Sequence, residues 1–94
     1  MLELKDTAKM MCSENYKERF KAEYTQLKIR YEKLKKFNTT IEAAERTKFI
    51  PNILHPVAEP IHDCPSELLR EQQRVMGEYL HLLEVRAAIE NVEL

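Results

Sequence analysis

The sequence predicts an all-α protein, an antiparallel hairpin of two long amphipathic helices joined by a Pro-rich loop and assembled into a homo-oligomer. The 94-residue chain has one Gly and no Trp, and 33% of its residues are charged, which is typical of helices rather than of a turn-rich sheet protein. Apolar residues recur at helical spacing in two long runs. A chain this short buries a small fraction of its surface, and self-association is a common remedy.

The first run predicts a helix over about residues 13–46. Its apolar residues recur at spacings that place them on one face of a helix. They are Tyr16, Phe20, Tyr24, Leu27, Tyr31, Leu34 and Ile41. Ser13 is the expected N-cap, because its hydroxyl can accept from an unpaired backbone N–H. Asn38 interrupts the apolar stripe, so the helix is expected to bend or fray there.

A Pro-rich loop is predicted over about residues 47–63. Pro51, Pro56 and Pro60 each remove a backbone donor and restrict the preceding residue, so neither helix continues through this segment. A loop of this length in a compact domain is expected to be either a lid over a site or a mobile insertion. Its apolar residues favour packing onto the hairpin or onto a neighbouring subunit. They are Phe49, Ile50, Ile53, Leu54, Val57 and Ile61.

A second helix is predicted over about residues 64–91, with Pro65 at its first position and Cys64 or Asp63 as the cap. Its apolar residues form two stripes, although a surface helix needs only one. The stripes are Leu69, Met76, Leu80, Leu83 and Ala87, and Leu68, Val75, Leu82, Val85 and Ile89. One helix covers only one stripe, so the other indicates a second subunit. Gly77, in mid-helix, indicates close approach of another backbone or a ligand.

Composition excludes several classes of function. Lys and Arg number 15 against 16 for Asp and Glu, so the chain has no global field to recruit DNA, RNA or an anionic membrane. The N-terminal segment lacks the apolar run of a signal peptide or a membrane span, which predicts a soluble cytoplasmic protein. Its two cysteines, Cys12 and Cys64, are therefore expected to be reduced.

Catalytic and metal motifs are also missing from the sequence. It contains no Gly-rich phosphate loop, no HExxH, no CxxC and no nucleophile elbow, so neither an enzyme nor a cofactor is expected. His55, His62, Cys64 and Cys12 could supply four zinc ligands, but their spacing matches no recognised zinc module. No metal site is predicted.

Cationic and aromatic residues on the helices are the remaining candidates for binding. Guanidinium groups hold phosphate and aromatic faces stack on bases, so a cleft lined by both suits a nucleotide. The candidate ligand-binding residues are Arg19, Phe20, Tyr24, Arg30, Arg70, Tyr79 and Arg86. For any one of them, core packing or a solvated surface charge is the commoner role.

Arg86 stands out among these candidates because it lies between the two apolar stripes. Its partner is expected to be Glu90, a ligand phosphate or a glutamate across a subunit interface. Gln72 and Tyr79 share its heptad position and form with it a polar seam along an apolar helix. Such seams specify register or line a cavity.

The chain resembles a family of small phage proteins, the hairpin sponges that counter the CBASS and Thoeris defences by sequestering cyclic nucleotide signals. The matching segments are YKERFKAEYTQLKIRYEKLKKF at 16–37 and DCPSELLREQQRVMGEYLHLLEVRAAIE at 63–90. The phrases ERFKAEY, CPxELL and MxxYLxxLExRA carry the resemblance, which is closest to the anti-Thoeris branch. Residues 38–62 are longer and richer in Pro than the family pattern.

The resemblance implies a non-enzymatic protein in the cytoplasm of the infected or lysogenic bacterial host. Such a protein binds cyclic ADP-ribose isomers, cyclic di- or trinucleotides, or both, without cleaving them, so that the defence effector is not activated. The resemblance also implies a hexamer, built as a trimer of dimers, with pockets between subunits.

Two other functions compete with this one. A structural or adaptor protein would use the helix stripes to bind another protein and would need no small ligand. An enzyme that hydrolyses such signals is weaker, because the sequence shows no metal site or activated nucleophile.

Overall fold

The computed structural model describes residues 3–94, which contain three helices and no strand. The helices are α1 (Leu4–Met11), α2 (Tyr16–Thr47) and α3 (Ser66–Glu90). The all-helical prediction is confirmed, whereas assembly into a homo-oligomer stays a prediction. The chain is elongated, 57 × 25 × 24 Å, and its radius of gyration is 17.4 Å. A compact domain of this size has a radius of gyration of about 13 Å.

The short helix α1 packs on α2 through a buried hydroxyl. Thr7 is fully buried; its Oγ1 donates to the carbonyl of Leu4 at 2.6 Å and accepts from Nε2 of Gln26 on α2 at 2.9 Å. A capping box between Glu3 and Asp6 closes the start of α1. The residues before α2 therefore form a separate helix and do not extend α2 backwards.

The start of α2 differs from the prediction. Asn15, rather than Ser13, is the N-cap, and its side chain accepts from the backbone N–H of Lys17 at 2.9 Å. Ser13 supports the turn before the cap, because its Oγ accepts from the N–H of Asn15 at 3.1 Å.

The helix α2 continues through Asn38 without fraying. Asn38 is buried, and its Nδ2 donates to the carbonyl of Leu69 at 3.0 Å and to Oε1 of Gln73 at 2.9 Å. Two hydrogen bonds to α3 thus hold the side-chain nitrogen of this polar residue, and the helix continues through it.

The helices α2 and α3 pack against each other in opposite directions. At one end of the contact, the hydroxyl of Tyr16 donates to Glu90. Asn38 reaches Leu69 towards the other end. The two helices are therefore antiparallel.

The two apolar stripes of α3 differ in burial, as expected if α2 covers only one of them. One faces α2 and supplies the buried residues Leu80, Leu83 and Ala87. The other lies exposed. It comprises Leu68, Val75, Leu82, Val85 and Ile89.

Gly77 lies at a close approach, and its neighbour within the chain is an aromatic side chain rather than a backbone, while approach of a ligand stays a prediction. A Cβ at this position would lie 3.3 Å from Cε1 of Tyr31 on α2. The missing side chain lets this ring pack against α3.

The ends of α3 have different caps. At the N-terminus Pro65 is itself the N-cap, so the prediction of Cys64 or Asp63 as the cap is wrong. At the C-terminus Asn91 takes the left-handed conformation with φ 56°, which Asn tolerates. The turn brings Val92 back into the core, where its N–H donates to the carbonyl of Ala87 at 2.8 Å.

The segment between α2 and α3, residues 48–65, has no regular secondary structure. Most of its apolar side chains do not pack onto the helices: Phe49 is 87% exposed and Ile61 is 98% exposed. His62 attaches the segment, since its ring meets Phe37 of α2 edge-on with centroids 6.1 Å apart. Packing of the exposed residues on a neighbouring subunit stays a prediction.

Candidate functional site

Arg86 of α3 lies against the start of α2. Its Nη2 donates to the hydroxyl of Tyr16 at 2.6 Å, and its Nε donates to Oε2 of Glu90 at 3.2 Å. The guanidinium carbon lies 4.9 Å from the centre of the Phe20 ring, in a cation–π contact. The Tyr16 hydroxyl in turn donates to Oε1 of Glu90 at 2.9 Å. These four residues are called the Arg86 cluster below.

Helical spacing explains how the cluster forms. Tyr16 and Phe20 are one turn apart on α2, and Arg86 and Glu90 are one turn apart on α3, so each pair lies on one face of its helix. Antiparallel packing then brings the two pairs face to face. Phe20 is buried, which gives the guanidinium a fixed aromatic surface.

Hydrogen bonding to Glu90 raises the pKa of both the phenol and the guanidinium. The bond to Glu90 raises the pKa of Tyr16, and desolvation adds to this rise, while the charge of Arg86 opposes it. The bond to Glu90 also raises the pKa of Arg86. Glu90 balances the charge of Arg86 within the cluster, so an incoming anion would compete with this carboxylate for the guanidinium.

A cavity of about 360 Å³ opens beside the cluster. Its lining is Met11, Tyr16, Arg19, Phe20, Glu23 and Arg86. This volume lies at the lower end of the range of small-molecule sites, about 300–1,000 Å³. The residues around it put two guanidinium groups and two aromatic rings in one place.

Four of the seven predicted site residues meet at or beside this cavity. Arg19, Phe20 and Arg86 line it. Tyr79 lies beside the cavity, where its hydroxyl donates to the carboxylate of the lining residue Glu23. That bond raises the pKa of Tyr79. Arg19 is held in turn by the carbonyl of Ser13, to which its Nη1 donates at 2.8 Å.

Tyr24 belongs to a different and larger cavity, of about 600 Å³, between α1, α2 and the C-terminal residue. Its lining is Met10, Lys21, Tyr24, Thr25, Lys28, Ile29, Glu32, Lys33 and Leu94. Burial raises the pKa of Tyr24, as does its hydrogen bond to Glu84. The sequence pattern does not predict this cavity, because Met10 and Leu94 reach α2 only through tertiary packing.

The two remaining candidates lie elsewhere. Arg70 is at the far end of the α2–α3 contact, where its Nη1 is 3.7 Å from a carboxylate oxygen of Glu45. Arg30 is exposed in the middle of α2 and lines neither of the two cavities above. The structure brings neither residue to the Arg86 cluster.

Residues 3–94 contain no group of three or more His, Cys, Asp or Glu side chains that could hold a metal ion. Cys12 and Cys64 are free and exposed. Within the same residues, no helix combines the length and the apolar character needed to cross a bilayer.

A family model described as Sequestin matches residues 14–89, well over half of the chain. The chain belongs to the Sequestin family. The match includes Tyr16, Phe20 and Arg86, whereas Glu90 lies just beyond it. Searches among curated proteins and solved structures find no significant match.

The Sequestin name indicates sequestration of a ligand, and therefore binding rather than catalysis. It agrees with the resemblance to a sequestering anti-defence family. The name specifies neither a cyclic nucleotide nor the anti-Thoeris branch.

Proposed function

We propose that this member of the Sequestin family is a phage or prophage anti-defence protein that binds cyclic nucleotide immune signals and holds them without degrading them. The ligands are cyclic ADP-ribose isomers, cyclic di- or trinucleotides, or both. Thoeris or CBASS effectors in the cytoplasm of the infected or lysogenic host are then not activated. The overall resemblance of the chain is closest to the anti-Thoeris branch, which we take as the more specific assignment.

The Arg86 cluster is the observation that supports this proposal most directly. A cyclic nucleotide combines phosphate groups with a purine ring. The guanidinium groups of Arg86 and Arg19 supply donors for the phosphates. The ring of Tyr16, which is exposed, supplies a surface on which a purine can stack.

Ligand binding at this cluster exchanges one acceptor for another. Arg86 now donates to Glu90, and a ligand phosphate would take the place of that carboxylate. The exchange keeps an anionic acceptor on the guanidinium, although the half-exposed Arg86 side chain loses water contacts when a ligand covers it. Since the phosphate and Glu90 repel each other, Glu90 limits the affinity.

Assembly of the helical hairpin into a homo-oligomer fits this function. The resemblance implies a hexamer arranged as a trimer of dimers. A cavity that is open on one chain would be closed by a second chain, and a closed site wraps more of a small ligand. Tight binding is what a sponge requires, because it must hold a scarce signal below the effector's threshold.

Isothermal titration calorimetry with cyclic ADP-ribose isomers and cyclic di- and trinucleotides tests the proposal. We expect Arg86→Gln to weaken binding at least tenfold, which corresponds to about 1.4 kcal/mol. Glu90→Gln is expected to tighten binding, because it removes the competing charge. Lys28→Gln, in the larger cavity, is the matched control and should leave affinity unchanged. Circular dichroism of each variant checks that the helices are intact.

The outcomes test separately whether the protein sequesters a nucleotide and which cavity binds it. If none of these nucleotides binds, the sponge function is wrong. If Lys28→Gln abolishes binding and Arg86→Gln does not, sequestration stands but the site is the larger cavity. Chromatography of the ligand released by heat denaturation tests the non-enzymatic character. Intact ligand supports sequestration, and recovery of a cleaved product alone contradicts it.

A structural or adaptor role is the second candidate, and the exposed stripe of α3 favours it. Such a protein would bind another protein through that stripe and would give no heat with any cyclic nucleotide. The same titrations therefore distinguish the two functions.

A further inference from the structure

A polar cavity lies between α2 and α3 at the end of their contact that is remote from the Arg86 cluster. Its volume is about 300 Å³, which is at the lower limit for small-molecule sites. All of its lining side chains are polar or charged, and it is called the Asn38 cavity below. The lining consists of Asn38, Thr39 and Glu42 from α2 and of Arg70, Gln73 and Arg74 from α3.

The amide of Asn38 is buried but only partly hydrogen bonded. Asn38 is 5% exposed, and its Nδ2 donates to the carbonyl of Leu69 and to Oε1 of Gln73. Its Oδ1 is also buried, yet it accepts no hydrogen bond from residues 3–94. Native proteins contain few buried acceptors of this kind, because each one carries a desolvation cost. Since α3 already binds the amide nitrogen, the oxygen is the atom that remains for a donor in the cavity.

The two walls of the Asn38 cavity differ in their hydrogen-bonding chemistry. The α2 wall offers acceptors, namely the free Oδ1 of Asn38 and, one turn later, the carboxylate of Glu42. The Thr39 hydroxyl uses its proton within α2, so its oxygen is also an acceptor. The α3 wall carries the guanidinium groups of Arg70 and Arg74, which can only donate. A ligand that fits both walls donates on one side and carries a negative charge on the other.

Existing ion pairs leave these charged groups available to a ligand. Nη1 of Arg70 is 3.7 Å from its carboxylate partner, which is longer than a hydrogen bond. Arg74 and Glu42 are each paired with a residue one turn away on the same helix, at 2.9 and 3.1 Å, and both side chains are more than half exposed. Exposed ion pairs contribute little to stability, so exchanging one for a ligand contact costs little.

We propose that the Asn38 cavity binds a small zwitterion of the α-amino acid type. The ammonium group of the ligand donates to Oδ1 of Asn38 and lies near the carboxylate of Glu42. Its carboxylate accepts from the guanidinium groups of Arg70 and Arg74. Such a ligand supplies the donor that the buried oxygen lacks and an opposite charge for each wall. A simple anion such as sulfate would offer Asn38 no donor and would be repelled by Glu42.

Thermal denaturation in the presence of each standard amino acid tests the proposal. At least one of them should raise the melting temperature, because a ligand of the folded state stabilises it by mass action. Titration calorimetry with that amino acid then tests both charges. Its N-acetyl derivative, which lacks the ammonium group, and its carboxamide, which lacks the carboxylate, should not bind. The proposal is wrong if no amino acid raises the melting temperature, or if the N-acetyl derivative binds equally well.

Substitutions test the location of this site. Asn38→Leu removes the acceptor and Arg70→Gln removes a guanidinium, so each should weaken binding of the amino acid at least about tenfold. Arg30→Gln is the matched control, because Arg30 is an exposed arginine outside the Asn38 cavity. Circular dichroism checks that each variant is folded. Unchanged affinity in either Asn38→Leu or Arg70→Gln would contradict the proposal.

The Asn38 cavity and the Arg86 cluster can be tested independently. Arg86→Gln should leave binding of the amino acid unchanged, because Arg86 lies at the opposite end of the α2–α3 contact. None of these titrations contains a cyclic nucleotide. Failure of the amino acid site would therefore leave the sponge function standing, and the reverse also holds.

Discussion

Leu82 and Leu83 are neighbours on one helix, yet Leu82 is 61% exposed and Leu83 is 1% exposed. Their residue type and helical environment are the same, and they differ only in the side of α3 on which they lie. Burial in this protein therefore depends on which surface faces each stripe rather than on side-chain chemistry. The helix α2 covers one of the two apolar faces of α3, and a partner for the other face stays a prediction.

The largest effect is expected when each of these two leucines is truncated to alanine. Leu83→Ala should lower the free energy of unfolding by about 2–5 kcal/mol, because it leaves a cavity between α2 and α3. Leu82→Ala should change the stability of the monomer by less than about 0.5 kcal/mol, as surface substitutions usually do. Urea denaturation at a protein concentration that keeps the chain monomeric measures both values. Equal losses for the two variants would show that Leu82 is covered within the single chain.

A smaller effect is expected at Asn38, the polar side chain buried in the α2–α3 contact. Its Oδ1 is buried and has no hydrogen-bond partner among the described residues, which carries a desolvation cost. Asn38→Leu should therefore raise the free energy of unfolding by about 1 kcal/mol, as apolar residues do at such positions in coiled coils. Urea unfolding of both proteins measures the difference. A loss of stability would mean that the bonds from Asn38 to Leu69 and Gln73 outweigh the unpaired oxygen.

The smallest effect is expected in the segment between the helices, which is held by few contacts. The bond to the Cys64 carbonyl, at 2.6 Å, raises the pKa of His62, and Glu59 contributes to the rise. Only the charged imidazole can donate to both acceptors at once. Because the pKa in the folded state exceeds the unfolded value, this stabilisation is present below about pH 6.5 and is lost as pH rises through the folded value.

Melting temperatures of the wild type and of His62→Gln check this expectation. The wild type should melt higher than the variant at about pH 5.5, and the difference should shrink at about pH 8.5. A constant difference across this range would show that packing of the His62 ring on Phe37, and not its charge, attaches the segment.

Local patterns in the sequence predict the fold class and both stripes of α3. The spacing of Leu82 and Leu83 within their stripes already assigns them to different faces. Glu90 is predictable as a partner of Arg86, because residues four apart on a helix are neighbours. The sequence does not indicate which helix cap is used, since Ser13 and Asn15 are both good caps.

The rest of the candidate site depends on how far α2 and α3 are shifted along each other. The contact of Arg86 with Tyr16 and Phe20 cannot be read from periodicity, because the irregular segment 48–65 allows many alignments of the two helices. Arg30 and Arg70 were plausible for the same reason and prove to lie away from the cluster. Aromatic and cationic residues identify the chemistry of a nucleotide site, but only the helix alignment selects which of them meet.

The elongated shape affects how the size of this protein should be measured. A rod of 57 × 25 × 24 Å experiences more friction than a sphere of equal mass, so a single chain elutes early from a gel-filtration column calibrated with globular standards. Two chains lying side by side would be wider but hardly longer, and their frictional ratio would fall towards that of a sphere. The elution volume alone would therefore overestimate the mass of the monomer. It would also make the apparent masses of one chain and of two chains more similar than they are. Sedimentation separates the two, because it reports mass and shape together.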